Sequence, residues 1–227
     1  MFTLDQVVPW GRSFDEYLAM FGMNEADLAG RILGCGDGPA CFNARATRLG
    51  ASVVSCDPIY RWSTDEIRGR IDQTYEQVLE QTRRNEGEFV WETISSVEEL
   101  GRVRMAAMRE FLTDYPEGGR QGRYVAAQLP SLPFADREFD LALCSHLLFL
   151  YSDQLGETLH RASVLELGRV ATEVRVFPLL ALGGARSPLL DGCADLLRGS
   201  GYDVSIERVA YEFQRGGNQM LRFRRRD

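Results

Sequence analysis

Short runs of aliphatic and β-branched residues recur along the chain, separated by stretches whose apolar positions return every three or four residues. This alternation of strand and amphipathic helix is the pattern of an α/β sheet. Strands are expected at Arg31 to Leu33, Ala51 to Ser55, Tyr124 to Ala127, Phe139 to Cys144 and Thr172 to Phe177. Two further β-rich runs, Tyr202 to Phe213 and Met220 to Arg225, are joined by Arg215-Gly216-Gly217-Asn218, a hairpin turn. Pro39 opens a helical segment that closes at Leu49-Gly50, and Gln154 to Gly168 forms another. Ser187-Pro188 starts a third helix, with proline in its first turn, that runs to Leu197 before Gly201 stops it.

Two segments stand outside this alternation within what reads as one domain. Residues 1–29 precede the first strand, and there Ser13 and Glu16 make a capping box for a helix with Phe14, Leu18 and Phe21 on one face. Residues 60–120 lie where one short helix would suffice. Thr64 to Arg84 carries Ile67, Ile71, Tyr75, Val78 and Leu79 at helical spacing, and Ser96 to Leu112 repeats the pattern with Val97, Leu100, Val103 and Phe111. Ser63 and Ser96 suit N-caps, and Gly87 to Trp91 bridges the helices. We expect a lid over a pocket, because the insertion begins three residues after Asp57; a homodimer surface is the alternative.

The chemistry concentrates between Ile32 and Tyr60. The first strand runs into Gly34, Gly36 and Gly38, and the second delivers Asp57 nineteen residues after the last glycine. Glycines let the backbone approach a ligand, and a carboxylate at the next strand end can accept from both ribose hydroxyls. The third glycine of a dinucleotide fingerprint is replaced by Pro39, which makes a nicotinamide oxidoreductase a distant reading. The chain has no lysine, which removes a P-loop lysine, a Schiff base and a lysine general base together. What remains is a ligand with adenosine and ribose but no demanding phosphate, and S-adenosylmethionine fits.

Gly34-Cys35-Gly36-Asp37-Gly38, Asp57 after the second strand, and Leu132-Pro133-Phe134 followed by Phe139-Asp140 resemble class I S-adenosylmethionine-dependent methyltransferases. The resemblance covers about residues 28–210 and is empty within 60–122. It implies a doubly wound, mostly parallel seven-stranded sheet ending in an antiparallel hairpin, with a helical insertion after the second strand. It assigns Gly34, Cys35, Gly36 and Gly38 to the methionine-side loop and Asp57 with Pro58 to the ribose. Gln128 and Leu129 fall at the adenine contacts, and Ser145 at the crevice. Two positions depart from the family pattern: Ile32 and Gln128 stand where acidic residues are usual. Asp57-Pro58-Ile59-Tyr60 looks like the tetrapeptide of amino-group methyltransferases, but it follows the wrong strand.

After the fourth strand, Ser145 and His146 point to the open crevice, and a near-neutral imidazole there could take a proton from an incoming nucleophile. A structural role for His146 has equal weight, while His160, the other of two histidines, reads as surface or structural. Arg12 and Tyr17 of the leading segment, with Tyr60, Trp62 and Tyr151, are candidate pocket walls. For each aromatic residue among them, core packing is the competing reading. Metal-ligand spacings are absent from the sequence.

Composition narrows the partners. A net charge of −7 argues against gripping DNA through the overall field, and no run is apolar enough for a membrane span. Met1 to Gln6 lacks the features of a signal peptide, and five cysteines, an odd number, read as free thiols in a reducing cytoplasm. The reading reached is a cytoplasmic methyltransferase acting on a small molecule. One rival is a protein that binds S-adenosylmethionine or S-adenosylhomocysteine without catalysis. The other is a methyltransferase acting on RNA or protein, with Arg222 to Arg226 as docking strip.

Overall fold

A computed structural model describes residues 8–226, so the reading of Met1 to Gln6 lies outside the described residues. Helices α1 (Phe14–Phe21) and α2 (Glu25–Ala29) lead into β1 (Arg31–Cys35), α3 (Phe42–Arg48) and β2 (Ser52–Cys56). A 3-10 turn, Pro58–Arg61, then gives way to the long pair α4 (Thr64–Arg84) and α5 (Val97–Arg120). The chain continues through β3 (Tyr124–Val125), β4 (Phe139–Ser145), α6 (Ser152–Val170), β5 (Ala171–Phe177), α7 (Leu190–Gly199), β6 (Tyr202–Arg208) and β7 (Gln219–Arg225). All seven strands join one sheet in the order β3-β2-β1-β4-β5-β7-β6. Only β7 breaks the parallel run, pairing antiparallel with both β5 and β6. The strand order reverses at β1, so the crevice of a doubly wound sheet opens between the carboxyl ends of β1 and β4.

Alternation along each strand fills two cores. Ile32, Val53, Leu141 and Leu143 pack with Tyr17, Met20 and Phe21 of α1 and Phe42 of α3. Leu33, Ala142, Val174 and Leu221 pack on the other side with Val164 and Leu167 of α6 and Leu190 and Leu197 of α7. In α1 the inward face is therefore centred on Tyr17, Met20 and Phe21, rotated from the expected Phe14, Leu18, Phe21 face, and it buries Glu16 as well. Among the described residues no helix is long and apolar enough to cross a membrane.

Several expected boundaries move. The third strand is only two residues long, since Ser55↔Tyr124 and Cys56↔Val125 exhaust the pairing with β2. The helix expected to end at Leu112 runs on to Arg120, because Tyr115 and Gly118 are also buried and extend its apolar stripe past Pro116. Ser187 does not cap from Pro188. It accepts from the Leu189 N–H at 3.2 Å and bonds Ser152 Oγ at 2.7 Å, so the helix begins at Leu190. The two β-rich runs pair only from Arg208↔Gln219 outward. The segment between them is engaged elsewhere: Val90 N–H donates to Phe213 O and Arg215 N–H to Glu88 O, both at 2.8 Å.

The insertion is anchored at its base by aromatic packing. Tyr60, Phe111, Tyr115 and Tyr124 meet with ring centroids 5.1 to 5.9 Å apart. The Tyr115 hydroxyl donates to the Tyr60 and Trp62 carbonyls at 2.7 and 2.9 Å. Phe111 is fully buried at the centre. Phe111→Ala is expected to lower unfolding stability by about 3–5 kcal/mol, read as a shift of the urea midpoint; a shift under about 1 kcal/mol would show that the cluster does not anchor the helices.

Candidate functional site

The loop after β1 carries the first part of the site. Gly36 has φ 70°, and its N–H donates to the Cys56 carbonyl at 2.9 Å, turning the chain away from the sheet. Gly34 has no room for a side chain, because a Cβ there would overlap the Asp37 carboxylate. Asp37 is buried and accepts from the Tyr17 hydroxyl at 2.8 Å and from Ser55 Oγ at 2.6 Å. Burial pushes this carboxyl up to about 6; the Ser55 and Tyr17 hydrogen bonds oppose the rise, and the charge of Asp57 adds to it.

Asp57 closes the loop from the end of β2. Its Oδ2 accepts from the Gly38 N–H and its Oδ1 from the Ile59 N–H, both at 2.9 Å, so one carboxylate holds the glycine loop and caps the 3-10 turn. Burial raises it to about 6 against those two hydrogen bonds. A carboxylate has about four acceptor positions, so each oxygen keeps capacity for a ligand hydroxyl. Tyr60 seals the turn by donating to the Gly38 carbonyl at 2.7 Å.

Across the crevice, β4 ends at Ser145, and His146 adopts a left-handed backbone (φ 53°) fixed by its N–H donating to the Phe177 carbonyl at 2.7 Å. Its Nδ1 lies 2.9 Å from Ser145 Oγ, which leaves Nε2 for the cavity. Burial, then the charges of Arg12 and Arg104, pull the imidazole well below its ordinary value and keep it neutral. His160 is structural: its Nε2 accepts from the Phe149 N–H at 3.0 Å and its Nδ1 lies 2.7 Å from the Gly156 carbonyl. It thereby fixes the loop that follows β4.

These groups face one cavity of about 220 Å³. Arg12, Tyr17, Gly36, Gly38, Asp57, Trp62, Ser145, His146 and Tyr151 line it. Gly34, Cys35, Pro58, Tyr60, Gln128 and Leu129 do not. Gly34 and Cys35 belong to β1, Pro58 to the 3-10 turn and Tyr60 to the aromatic cluster. Leu129 sits in the core, and Gln128 is exposed in a bridge with Ser131. Tyr17 serves both settings, since its ring stacks on Phe42 with centroids 4.6 Å apart.

Sequence reasoning missed four groups. Asp37 was a spacer between glycines, and Ser55 an ordinary strand residue. Arg104 and Tyr211 are distant in the chain from the loop, yet both line the cavity. Arg104 is fully buried, forms a short ion pair with Glu16 Oε2 and lies 3.5 Å from the Tyr211 hydroxyl, which donates to Glu16 Oε1 at 2.9 Å. The detectable signal was an arginine four residues after Leu100 and seven before Phe111, on an otherwise apolar stripe. Val103, named instead, is only half-buried.

Two of the four terminal arginines are engaged, while Arg224 and Arg225 are exposed. Arg222 pairs with Glu173 at 2.7 Å and Glu207 at 3.4 Å, and Arg226 with Asp203 at 2.9 Å. All five cysteines are buried and free, and among the described residues no cluster of three His, Cys, Asp or Glu side chains is placed to hold a metal ion.

No family model matches the chain. It is 33% identical over 224 residues to the uncharacterized protein MJ0045 of Methanocaldococcus jannaschii, an alignment covering 98% of both proteins. The chain belongs to the family of that protein. Among solved structures it is similar to magnesium protoporphyrin IX methyltransferase from Synechocystis PCC 6803 with bound SAM. That match has 12% identity and a TM-score of 0.51, and covers 94% of this chain and 78% of that one. The mitomycin 7-O-methyltransferase MmcR matches at 13% identity and a TM-score of 0.51, over 94% of this chain and 54% of its own. At such identities the likeness is one of fold, and the fold is that of class I methyltransferases.

The two raised carboxyls make a pH-dependent contribution to stability. Between about pH 4 and 6 the unfolded chain ionises Asp37 and Asp57 more readily than the folded protein does, so their contribution falls as pH rises through that window and then levels off. Asp37→Asn removes one of them. Its melting temperature relative to wild type is expected to climb from pH 4 to 6.5, while any hydrogen-bond penalty stays constant. A difference that does not change with pH would show that Asp37 titrates normally.

Proposed function

We propose that this protein binds S-adenosylmethionine in the cavity at the ends of β1, β2 and β4 and transfers its methyl group to a small molecule. One observation carries the reading: two carboxylates, buried Asp37 and half-buried Asp57, flank the glycine loop at the switch point of the sheet and face one cavity. The donor set fits the cofactor. Asp57 has acceptor positions left for the ribose diol, Asp37 offers negative charge to the cationic amino-acid end, and Gly36 and Gly38 leave the backbone bare. The match in fold to a methyltransferase solved with SAM supports the same reading.

The bound cofactor would supply an electrophilic methyl on a positively charged sulfur. The protein's own work is then alignment and exclusion of water. Ser145 holds the His146 ring at Nδ1, and neutral His146 is available through Nε2 to take the proton released as the acceptor's new bond to carbon forms. Trp62, Tyr151, Arg12 and Tyr17 wall the space in front of it. The insertion adds Val78, Thr82, Leu100 and Arg104 to the lining, which supports its role as a lid and favours a small substrate. The engagement of Arg222 and Arg226 with acidic neighbours leaves two exposed arginines, Arg224 and Arg225, for a docking strip on RNA or protein.

Calorimetric titration with S-adenosylmethionine and with S-adenosylhomocysteine tests the cofactor. Micromolar binding, about −8 kcal/mol, is expected for wild type. It should be lost in Asp57→Ala, with a melt showing that the variant is folded. No heat with either ligand from folded wild-type protein would end the methyltransferase reading.

A further inference from the structure

Where Arg12 and Arg104 reach it, the cavity holds more positive charge than it neutralises. Arg104 comes from α5 of the insertion and Arg12 from the segment before α1, and both line the cavity. Glu16 is the carboxylate paired to Arg104. Burial raises that acid, but the charge and hydrogen bond of Arg104, with Arg12 and the Ser13 N–H, outweigh it and hold Glu16 at about 2, so it is a full anion. It is already heavily used, because Oε2 also accepts from the Ser13 N–H at 2.9 Å and the Ser13 hydroxyl at 3.0 Å, and Oε1 from Tyr211.

Arg12 has no carboxylate of its own. Its Nη1 donates to the Trp10 carbonyl at 2.6 Å, and among the described residues it forms no ion pair. Burial and repulsion by Arg104 both pull its guanidinium down, yet an arginine stays protonated in proteins. The Nε–H groups of Arg12 and Arg104 are both buried without an acceptor. Two guanidiniums therefore face one anion, with unused donors beside a cavity, an arrangement that costs free energy until a counter-anion arrives. The walls next to it are apolar and ring-sized: Trp10, Leu100, Phe89, Phe213 and Tyr151.

We propose that the substrate is an organic acid, bound with its carboxylate at Arg12 and Arg104 and its apolar body against the aromatic wall. This deepens the methyltransferase reading and rests on it for the word substrate; the anion site itself stands on the arginines. Guanidinium donors match the planar carboxylate, and each charge-assisted bond discriminates strongly against an uncharged isostere. Asp37, Asp57 and the two arginines line the same cavity, and Arg12 lies beside the end of the glycine loop, its carbonyl accepting from the Cys41 N–H at 3.1 Å. The cofactor carries a carboxylate as well, so the test must separate the two sources.

Benzoate, phenylacetate and octanoate are titrated beside their amides into the free protein and into protein saturated with S-adenosylhomocysteine, with melting temperature and heat as readouts. At least one acid is expected to bind the loaded protein about tenfold or more tighter than its amide, a preference lost in Arg12→Met. Arg12 leaves no anion unpaired when removed, so this variant should melt at or above wild type. The double change Glu16→Gln with Arg104→Met removes both ion-pair partners and should abolish the same preference. The proposal is overturned if no acid outbinds its amide. It is equally overturned if the preference exists only in the free protein while Arg12→Met weakens S-adenosylhomocysteine and spares 5′-methylthioadenosine, since the arginines would then hold the cofactor's own carboxylate. Acid preference without any response to S-adenosylhomocysteine would remove the methyltransferase reading and leave the acid site intact.

Discussion

The ion pair between Glu16 and Arg104 is the tie on which the architecture above the sheet depends. It joins three segments that the sheet does not organise: the leading helix α1, the inserted helix α5, and, through the Tyr211 hydroxyl, the loop between β6 and β7. Breaking a buried pair by removing one partner costs about 3–5 kcal/mol, because the remaining charge is stranded in a medium that cannot solvate it. A pair so placed constrains position more than it adds net stability. Helix α5 cannot shift along its axis without exposing Arg104 to apolar neighbours or leaving Glu16 unpaired.

Other contacts close the same assembly from its edges. The aromatic group of Tyr60, Phe111, Tyr115 and Tyr124 pins the base of the insertion to β3 and to the turn after β2. At its tip, the crossover between α4 and α5 adds backbone hydrogen bonds to the loop that precedes β7, and Phe89 stacks on Phe213 with centroids 5.0 Å apart. An insertion built this way is held at both ends. The cavity beneath it is thus set by three parts of the chain that meet only when the sheet is complete.

Charge within that cavity is unevenly placed. Asp37 and Asp57 sit where hydroxyl and amide donors partly repay their burial, and each is pushed up toward neutrality all the same. Burial first, and then the charges of Arg12 and Arg104, hold His146 neutral. Its protonated form is penalised by burial and by both arginines.

Local pattern determined much of this protein. Strand-helix alternation, the capping boxes at Ser13 and Ser63, and the run from Ile32 through Gly38 to Asp57 are all decided within a few residues, and the sheet they build is the one observed. Pairing and caps depend on backbone geometry that nearby side chains dictate, so a linear reading suffices. Helix α5 was legible as a helix but not in its chemistry. An arginine on an apolar stripe reads as an exposed neighbour of Val103 until its partner is known, and Glu16 lies 88 residues away. Tyr60 and Trp62 were equal candidates for the pocket wall by composition. Only the approach of Phe111 and Tyr115 sends Tyr60 into the core while Trp62 stays on the cavity. Asp37 likewise gains its role from Tyr17 and Ser55, which no spacing rule connects to it. Burial of a charge is a property of what surrounds it in space, and for these residues the surroundings come from distant sequence, so the tertiary structure alone decided them.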